Sequence, residues 1–376
     1  MIRFVCRQLR FDVVRSVLTT TALAAVVAVI LVLEGFYAGL LQQLRSAVLD
    51  RQADLIATQA GVANMIATRS ILPQFSRDSV EAIDGVAAAH PLTGISIIYE
   101  QQGKRTPVFL FIYDTGGGPD RLLAGSAITH PRDIVIDQSL AIKHDLRTGD
   151  AFVVSNFEFR ISGIAEGAAA FFAPFGFARY DDLIDFYFES DIAADISTFP
   201  LLSFLLVELK PGSDPPTVAA AIEAGVPEVD VFLPERLADQ DESLGRALIG
   251  PIMGLMVIIA YVIGAILTGM IMFATVNARR REFGTLKALG FSNRFLASSV
   301  VAEAVAIAVI AIPLGAVLAA VIAEFVERTA PLYVVLATQP GALLRTSLAC
   351  LAFAAIGALG PVGLIRNVDP VVAFRS

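Results

Sequence analysis

The sequence of 376 residues lacks the residue patterns on which most enzymes depend. It has four lysines, and none lies in the pattern G-x-x-x-x-G-K-[ST] that binds a nucleotide phosphate. Its three histidines are scattered and do not have metal-ligand spacing. No G-x-S-x-G or H-E-x-x-H pattern occurs. We therefore expect no catalytic residue, metal or cofactor site, so any ATP and Mg²⁺ chemistry would belong to another chain.

Cysteine is almost absent as well. The two cysteines are Cys6, near the N-terminus, and Cys350, inside the last apolar run. None lies between residues 42 and 245. No disulfide can therefore stabilise that region, whichever compartment holds it.

Apolar residues are abundant and lie in four long runs. The chain is 56% hydrophobic, with a mean hydropathy of +0.69. The runs cover residues 16–33, 249–276, 295–323 and 346–365, and each is long enough to cross a bilayer as a helix. The first follows a basic N-terminus and has no clear cleavage site, so we interpret it as an uncleaved span. Apolar positions continue to Val48, which predicts that this helix extends out of the membrane as a stalk.

The region between the first two runs is polar and acidic, with a formal charge of −14 over residues 38–248. Its short apolar segments, separated by Gly and Pro, predict a folded α/β domain over 42–245. The order strand, helix, strand occurs at about 54–99 and again at about 203–233, with a β-rich insert between. The predicted strands are 54–58, 94–99, 108–113, 133–136, 151–154, 157–163, 204–209 and 229–232; the predicted helices are 74–83, 138–144, 180–187 and 214–224. Gly116–Pro119 is interpreted as a turn or mobile loop.

The distribution of Lys and Arg predicts the orientation. The N-terminus, the loop 277–294 and the C-terminal tail together carry eleven basic residues. The connection 324–345 between the third and fourth runs carries two, Arg328 and Arg345. Because cytoplasmic loops are enriched in Lys and Arg, we expect both termini and the loop 277–294 in the cytoplasm and the domain 42–245 outside.

The loop 277–294, NARRREFGTLKALGFSNR, predicts a short amphipathic helix between two spans. Phe283, Leu286 and Leu289 recur at three-residue spacing and are expected to share one face. Gly290 fits the left-handed position that ends a helix. Ser292 or Asn293 can cap the helix that follows. Such an apolar face could lie on the lipid headgroups or dock onto a soluble partner.

The segment RRREFGTLKALGFS resembles the corresponding loop of the MacB/FtsX-like permeases of ABC transporters, the group that includes MacB, LolC, LolE and DevC. The stretch from Asp133 to Gly167 similarly resembles the periplasmic core domain of that family. The resemblance implies four transmembrane helices with a large α/β extracytoplasmic domain of porter-like βαβ halves and a β-rich insert. It also implies that the loop is a coupling helix seated in a groove of an ABC ATPase subunit. The docking residues would be Arg280, Arg281, Glu282, Phe283, Gly284, Leu286, Lys287, Leu289 and Gly290.

On this basis we divide the chain into residues 1–41, with the N-terminus and first span; the outer domain, 42–245; and the permease domain, 246–376. Glu303 is the one acid in the third run, and it could form a packing hydrogen bond or take part in coupling together with Pro313 in the same helix. Small residues at four-residue spacing predict a dimer in which the first two spans meet. These residues are Thr20, Ala24, Ala28, Gly250 and Gly254.

Two functions follow as expectations from the resemblance. The first is a permease subunit in the inner (plasma) membrane that works by mechanotransmission on a lipid, lipoprotein, peptide or amphiphile at the outer leaflet. The second is an FtsX-like regulator of a periplasmic cell-wall hydrolase. The expected partners are an ABC ATPase, a second permease in a homodimer or heterodimer, a periplasmic adaptor protein and membrane lipid, without nucleic acid.

The orientation can be tested by labelling introduced cysteines in intact cells. We expect cysteine in place of Ser213 to react with an impermeant maleimide, because residue 213 lies in the outer domain. We expect cysteine in place of Ser292 to react only after permeabilisation. The reverse pattern would contradict the predicted topology.

Overall fold

The computed structural model describes residues 13–66, 68–191 and 201–366. The basic segment 1–12 and the tail 367–376 therefore lie outside the described residues. The chain divides into two compact units. The membrane unit comprises residues 1–39, 250–328 and 334–376, and the outer domain comprises residues 40–249 and 329–333.

Four long helices are apolar enough to cross a membrane, which agrees with the four runs found in the sequence. They are Val13–Leu49 (α1), Pro234–Ala278 (α6), Asn293–Thr329 (α8) and Pro340–Arg366 (α9), with the short helix Arg280–Ala288 (α7) between α6 and α8. The prediction that the first helix continues beyond its apolar run is confirmed, because α1 is helical without interruption to Leu49. The second helix begins at Pro234, well before the apolar run, and continues through Pro251.

Eleven strands and four short helices form the outer domain as far as the structure describes it. The strands are Leu55–Gln59 (β1), Val86–Gln101 (β2), Lys104–Tyr113 (β3), Leu122–Gly125 (β4), Asp133–Asp137 (β5), Ala151–Val154 (β6), Phe157–Ala165 (β7), Ala169–Ala170 (β8), Ala173–Arg179 (β9), Phe204–Leu209 (β10) and Val229–Phe232 (β11). The helices are Ser76–Glu81 (α2), Gln138–His144 (α3), Leu183–Glu189 (α4) and Pro215–Gly225 (α5).

The two strand–helix–strand segments found in the sequence interleave in one sheet. The strand order there is β11-β1-β10-β2, and every neighbouring pair is antiparallel. This is the split βαβ arrangement of a ferredoxin-like sheet. The two helices α2 and α5 pack on it over an apolar core that includes Leu55, Val80 and Ile222. The expected repeat is therefore confirmed at the level of structure.

The β-rich insert extends the same sheet in the order β2-β3-β9-β5-β7-β4, and β6 pairs with β7. Three of its strands, β4, β8 and β9, were missed by the sequence prediction, as was the first half of β2. Pro91 interrupts the apolar alternation of β2, and Pro174 and Gly176 weaken the pattern of β9. The strand β9 forms because it pairs with β3 in parallel and with β5 antiparallel, and such long-range pairings leave no local signal.

Within the outer domain, the end of α1 packs against the start of α6. Leu44 and Leu237 are both buried in the same apolar cluster. The guanidinium of Arg45 pairs with the carboxylates of Asp239 and Glu242. The buried carboxylate of Asp241 accepts a hydrogen bond of 2.9 Å from the backbone N–H of Met65. These contacts fix both helix ends to the domain.

Arg51, two residues after α1, is buried beneath the sheet. Its guanidinium carbon lies 5.0 Å from the ring centre of Phe111 and 5.2 Å from that of Phe177. Its Nη1 atom donates a hydrogen bond of 2.5 Å to the carbonyl of Gly117, in the loop Gly116–Pro119. Burial lowers the pKa of Arg51 to about 10, so the side chain is still charged at neutral pH. The loop Gly116–Pro119 is therefore hydrogen-bonded to the segment that follows α1.

We expect Arg51→Ala to lower the free energy of unfolding of the outer domain by about 3 kcal/mol, because it opens a cavity and removes a cation–π contact and a hydrogen bond. Thermal unfolding of the full chain in detergent, followed by circular dichroism, measures this change. Arg45→Ala is the control, because its partly exposed ion pairs should contribute less than about 1 kcal/mol. Equal shifts for the two variants would contradict the role assigned to Arg51.

Candidate functional site

The short helix α7 lies in the loop whose sequence predicted a short amphipathic helix, and its C-terminal end is closed as expected. Gly290 has a φ of +91°, so it occupies the left-handed position after the helix. The N–H of Gly290 donates to the carbonyl of Lys287, and the N–H of Phe291 donates to that of Leu286. This pair of bonds is a Schellman motif. The Ser292 hydroxyl then accepts from the N–H of Phe295 and caps α8.

Phe283, Leu286 and Leu289 do not share one face, contrary to the prediction. Phe283 is 4% exposed, and Leu286 packs against the same apolar cluster of the membrane unit. Leu289 is 72% exposed. A three-residue step falls short of a helical turn by about 60°, so two such steps place Leu289 well away from Phe283. The packed residues hold α7 on its own bundle instead of offering a face to a partner.

The expected docking residues therefore fall into two groups. Phe283 and Gly284 are buried and Leu286 is half-buried, so they belong to the attachment of α7. The remaining expected docking residues differ in their exposure to solvent. Arg281, Glu282, Leu289 and Gly290 are exposed and Lys287 is half-buried, while the side chain of Arg280 lies outside the described residues. The exposed surface continues onto Phe291, which is 41% exposed.

A buried ion pair joins the start of α7 to α8. The Nη1 atom of Arg279 lies 2.8 Å from Oε1 of Glu303, and the two side chains are 5% and 8% exposed. Arg279 occupies the break between α6 and α7, where its N–H donates to the carbonyl of Val276. The pair therefore connects the end of α6 and the start of α7 with the interior of α8.

Glu303 was expected from the sequence to have a role, whereas Arg279 was expected only as one of the basic residues of the loop. The missed signal was the cost of an unpaired acid in an apolar run, which requires a cation nearby. Arg279 is the member of the Arg cluster closest to the end of the second run. Pro313, the other residue expected to act in coupling, lies within α8, which remains helical through it.

The small residues expected at a dimer contact are mostly used inside the subunit. Ala24 and Ala28 are buried in the core of the membrane unit, at 5% and 1% exposure. A Cβ added to Gly315 of α8 would meet the backbone oxygen of Ala24 at 2.7 Å, so α1 and α8 approach closely there. The expectation that these two alanines face another subunit is therefore corrected.

The other residues of that prediction have different surroundings. The Thr20 hydroxyl donates within its own helix, to the carbonyl of Ser16. A Cβ at Gly250 would lie 3.0 Å from the hydroxyl of Tyr37 in the same unit. A Cβ at Gly254 would have no neighbour within 4 Å, so this position is open.

A second polar cluster, which sequence analysis did not find, joins α1, α6 and α9. The buried carboxylate of Glu34 accepts from the guanidinium of Arg345 and from the hydroxyl of Tyr261, each at 2.7 Å. The Tyr261 hydroxyl also lies 3.3 Å from that of Thr346. Glu34 and Arg345 each stood at the edge of an apolar run, where a charge needs no partner, so their pairing left no signal in the sequence.

Comparisons with known proteins agree with this architecture. The model of the MacB-like periplasmic core domain matches residues 16–224, and that of the FtsX-like permease C-terminal domain matches residues 254–370. This chain belongs to the MacB/FtsX-like family of ABC transporter permeases. Its fold is accordingly four membrane helices with an α/β domain of the MacB type, as the sequence predicted.

Curated relatives match along nearly the whole chain. An uncharacterized ABC transporter permease of Mycobacterium tuberculosis is 21% identical over 373 residues, which covers 96% of this chain and 95% of the relative. A similar permease of Mycobacterium bovis is 24% identical over 376 residues, with the same coverage. These matches extend over both units of the permease.

Two solved structures are similar to part of the permease. The periplasmic region of MacB from Actinobacillus actinomycetemcomitans has a TM-score of 0.36 and 10% identity, and the match covers 52% of this chain and 95% of that structure. The extracellular domain of the noncanonic ABC-type transporter YknZ from Gram-positive bacteria has the same score and identity, with 48% and 100% coverage.

The Arg279–Glu303 pair can be tested by a double-mutant cycle. We expect Glu303→Gln and Arg279→Met each to lower the free energy of unfolding by about 3–5 kcal/mol, because each leaves one buried charge without its partner. The double variant should cost much less than the two changes together. The unfolding midpoint in detergent gives the comparison, with the exposed pair Glu324–Arg328 as a control that should show little coupling. If the losses of unfolding free energy for the Arg279 and Glu303 variants simply added up in the double variant, the two charges would not be paired.

Proposed function

We propose that this permease works by mechanotransmission: a separate ABC ATPase presses on the coupling helix α7, and the permease carries the motion to its outer domain. The observation that carries this proposal is the Arg279–Glu303 pair, which ties α7 to the membrane bundle at the point where α7 begins. A helix held this firmly cannot be displaced without moving the spans on either side. Family membership supports the presence of an ATPase partner.

The docking surface in this proposal is the exposed side of the loop around α7. Leu289 and Phe291 are its apolar centre, and Arg281, Glu282 and Arg294 are charged residues around it. Apolar residues at the centre of an interface with charges at the rim are typical of protein contacts. Phe283 and Leu286, by contrast, hold the helix to the permease.

Motion can pass to the outer domain through the two helices that enter it. The helix α6 is continuous over 45 residues from Pro234 to Ala278 and ends next to Arg279. The helix α1 is continuous over 37 residues and ends two residues before Arg51. Inside the domain, Asp241 fixes one helix to Met65 and Arg51 fixes the chain after the other beneath the sheet. A buried polar contact therefore lies near the outer-domain end of each helix and opposes movement of the helix along its axis.

A second permease subunit, identical or different, is part of the proposal, and α6 supplies its contact. Side chains such as Ile252, Leu255 and Ile259 are about half exposed or more along this helix. The open position at Gly254 lies on the same helix. The dimer contact is thus proposed on the outward side of α6, in place of the buried alanines of α1.

We further propose that the cargo is a lipid, lipoprotein, peptide or amphiphile handled at the outer leaflet, with a periplasmic adaptor protein as an additional partner. The large outer domain supports this function. The second candidate is FtsX-like regulation of a cell-wall hydrolase, since the FtsX-like model matches residues 254–370. A hydrolase in the complex isolated from native membranes would favour the second candidate.

We expect Leu289→Asp to abolish most ATPase activity that co-purifies with the tagged permease from native membranes. A carboxylate at the apolar centre of an interface should cost about 2 kcal/mol or more, which corresponds to more than tenfold weaker binding. The matched control is Leu123→Asp, which makes the same change at an exposed leucine in β4 of the outer domain.

Leu286→Asp separates docking from attachment in the same experiment. Because Leu286 packs on the membrane unit, its replacement should lower the thermal stability of the permease itself. Leu289→Asp should leave that stability unchanged. Retention of the ATPase by folded Leu289→Asp permease would contradict the proposed docking surface.

A further inference from the structure

The hairpin between β8 and β9 turns through two phenylalanines in an unusual backbone conformation. Phe171 has a φ of +51° and Phe172 a φ of +62°. The flanking strands pair Ala170 with Ala173 and Ala169 with Pro174, so the loop has two residues. Two-residue hairpin turns with both residues left-handed favour Asn and Gly, because a large side chain is strained there.

The hairpin is held in this conformation from within the outer domain. Phe171 packs against the apolar cluster that contains Phe175. The N–H of Phe175 donates to the carbonyl of Ala168 at 2.7 Å, and the N–H of Ala168 donates to the buried carboxylate of Asp137 at 2.9 Å. The neighbouring ring of Phe172 is instead directed outward and is 39% exposed. A strained turn that is fixed by its surroundings and displays an aromatic ring is a feature of contact surfaces.

The residue next to this ring indicates what the surface meets. The ring centre of Phe172 lies 6.2 Å from that of Tyr333, which is 36% exposed. Both residues belong to the outer domain, whose compact unit includes residues 329–333. The adjacent Leu332 is fixed to the same unit, because its carbonyl accepts a hydrogen bond of 3.0 Å from the buried side chain of Gln43.

Tyr333 lies in the short connection between two membrane helices. The helix α8 ends at Thr329 and α9 begins at Pro340, and both are long and apolar enough to span a bilayer. Two consecutive spans leave and re-enter the bilayer on the same side, so this short connection is a segment from which residues can reach the lipid headgroups. Tyrosine and tryptophan are enriched at the headgroup level because each combines an apolar ring with a polar group, and an apolar ring such as Phe172 can pack beside them.

We infer that Phe172 and Tyr333 form a lipid-contact patch through which the outer domain rests on the outer leaflet of the membrane. This inference depends on the proposed function only for the choice of leaflet. The patch consists of two half-exposed rings beside a span connection, which suits acyl chains near the headgroups better than a protein interface of ordinary size. It would place the outer domain where an amphiphilic cargo leaves the bilayer.

Tryptophan fluorescence tests the inference directly, because the chain contains no tryptophan. Phe172→Trp would supply the only tryptophan of the full-length permease in nanodiscs made with ordinary or acyl-brominated phosphatidylcholine, and this tryptophan is excited selectively at the red edge of its absorption. We expect bromine to quench most of its emission. Val317→Trp, on an exposed position of α8, is the positive control, and Phe188→Trp, on an exposed position of α4, should remain unquenched.

Tyr333→Trp is a second reporter that does not alter the strained turn, and it should be quenched like Phe172→Trp. Unquenched emission from both reporters, with Val317→Trp quenched, would show that lipid does not reach the patch and would overturn the inference. The result is independent of ATPase docking, which is measured by co-purification. A failure of one proposal can therefore be distinguished from a failure of the other.

Discussion

The structure of the membrane unit depends on one buried ion pair, between Arg279 and Glu303. A carboxylate inside an apolar span is costly, and a guanidinium at the end of a neighbouring span is costly too, unless the two meet. Their pairing fixes the break between α6 and α7 against the interior of α8. The helix α7 is thereby part of the bundle, although several of its residues are exposed. A force on the loop acts on an element that is already joined to two spans.

The same principle recurs at other points of the permease. Glu34 joins α1, α6 and α9 through Arg345 and Tyr261, and Arg51 and Asp241 fix the chain within the outer domain. Apolar packing between helices is tolerant of sliding, whereas a buried charge has one set of partners with defined geometry. Polar contacts at the ends of long helices therefore determine the register of the helices, while the apolar contacts supply most of the buried area.

Local features of the chain were predictable from sequence, and pairings between distant residues were not. The four spans follow from the long apolar runs, and the end of α7 follows from Gly290, because each depends on neighbours in the sequence. The strand β9 escaped prediction because it exists only through its pairing with β3 and β5. The prediction of one shared apolar face was wrong because three-residue spacing places Phe283 and Leu289 on different sides of a helix. Ala24 and Ala28 were suited to close packing, but the sequence could not say that the packing partner was α8 of the same chain.

Pulsed electron–electron double resonance is the most direct test of the claim that the ion pair passes motion from the coupling helix to the outer domain. Nitroxides on cysteines at Ser213 and Leu318, in a background without Cys6 and Cys350, report the distance between the two units in the complex with its ATPase. When the Arg279–Glu303 pair is intact, the account predicts that ATP with vanadate changes this distance. In the Glu303→Gln variant, the change should be abolished while the ATPase stays bound. An equal nucleotide-dependent change in the Glu303→Gln complex would contradict it.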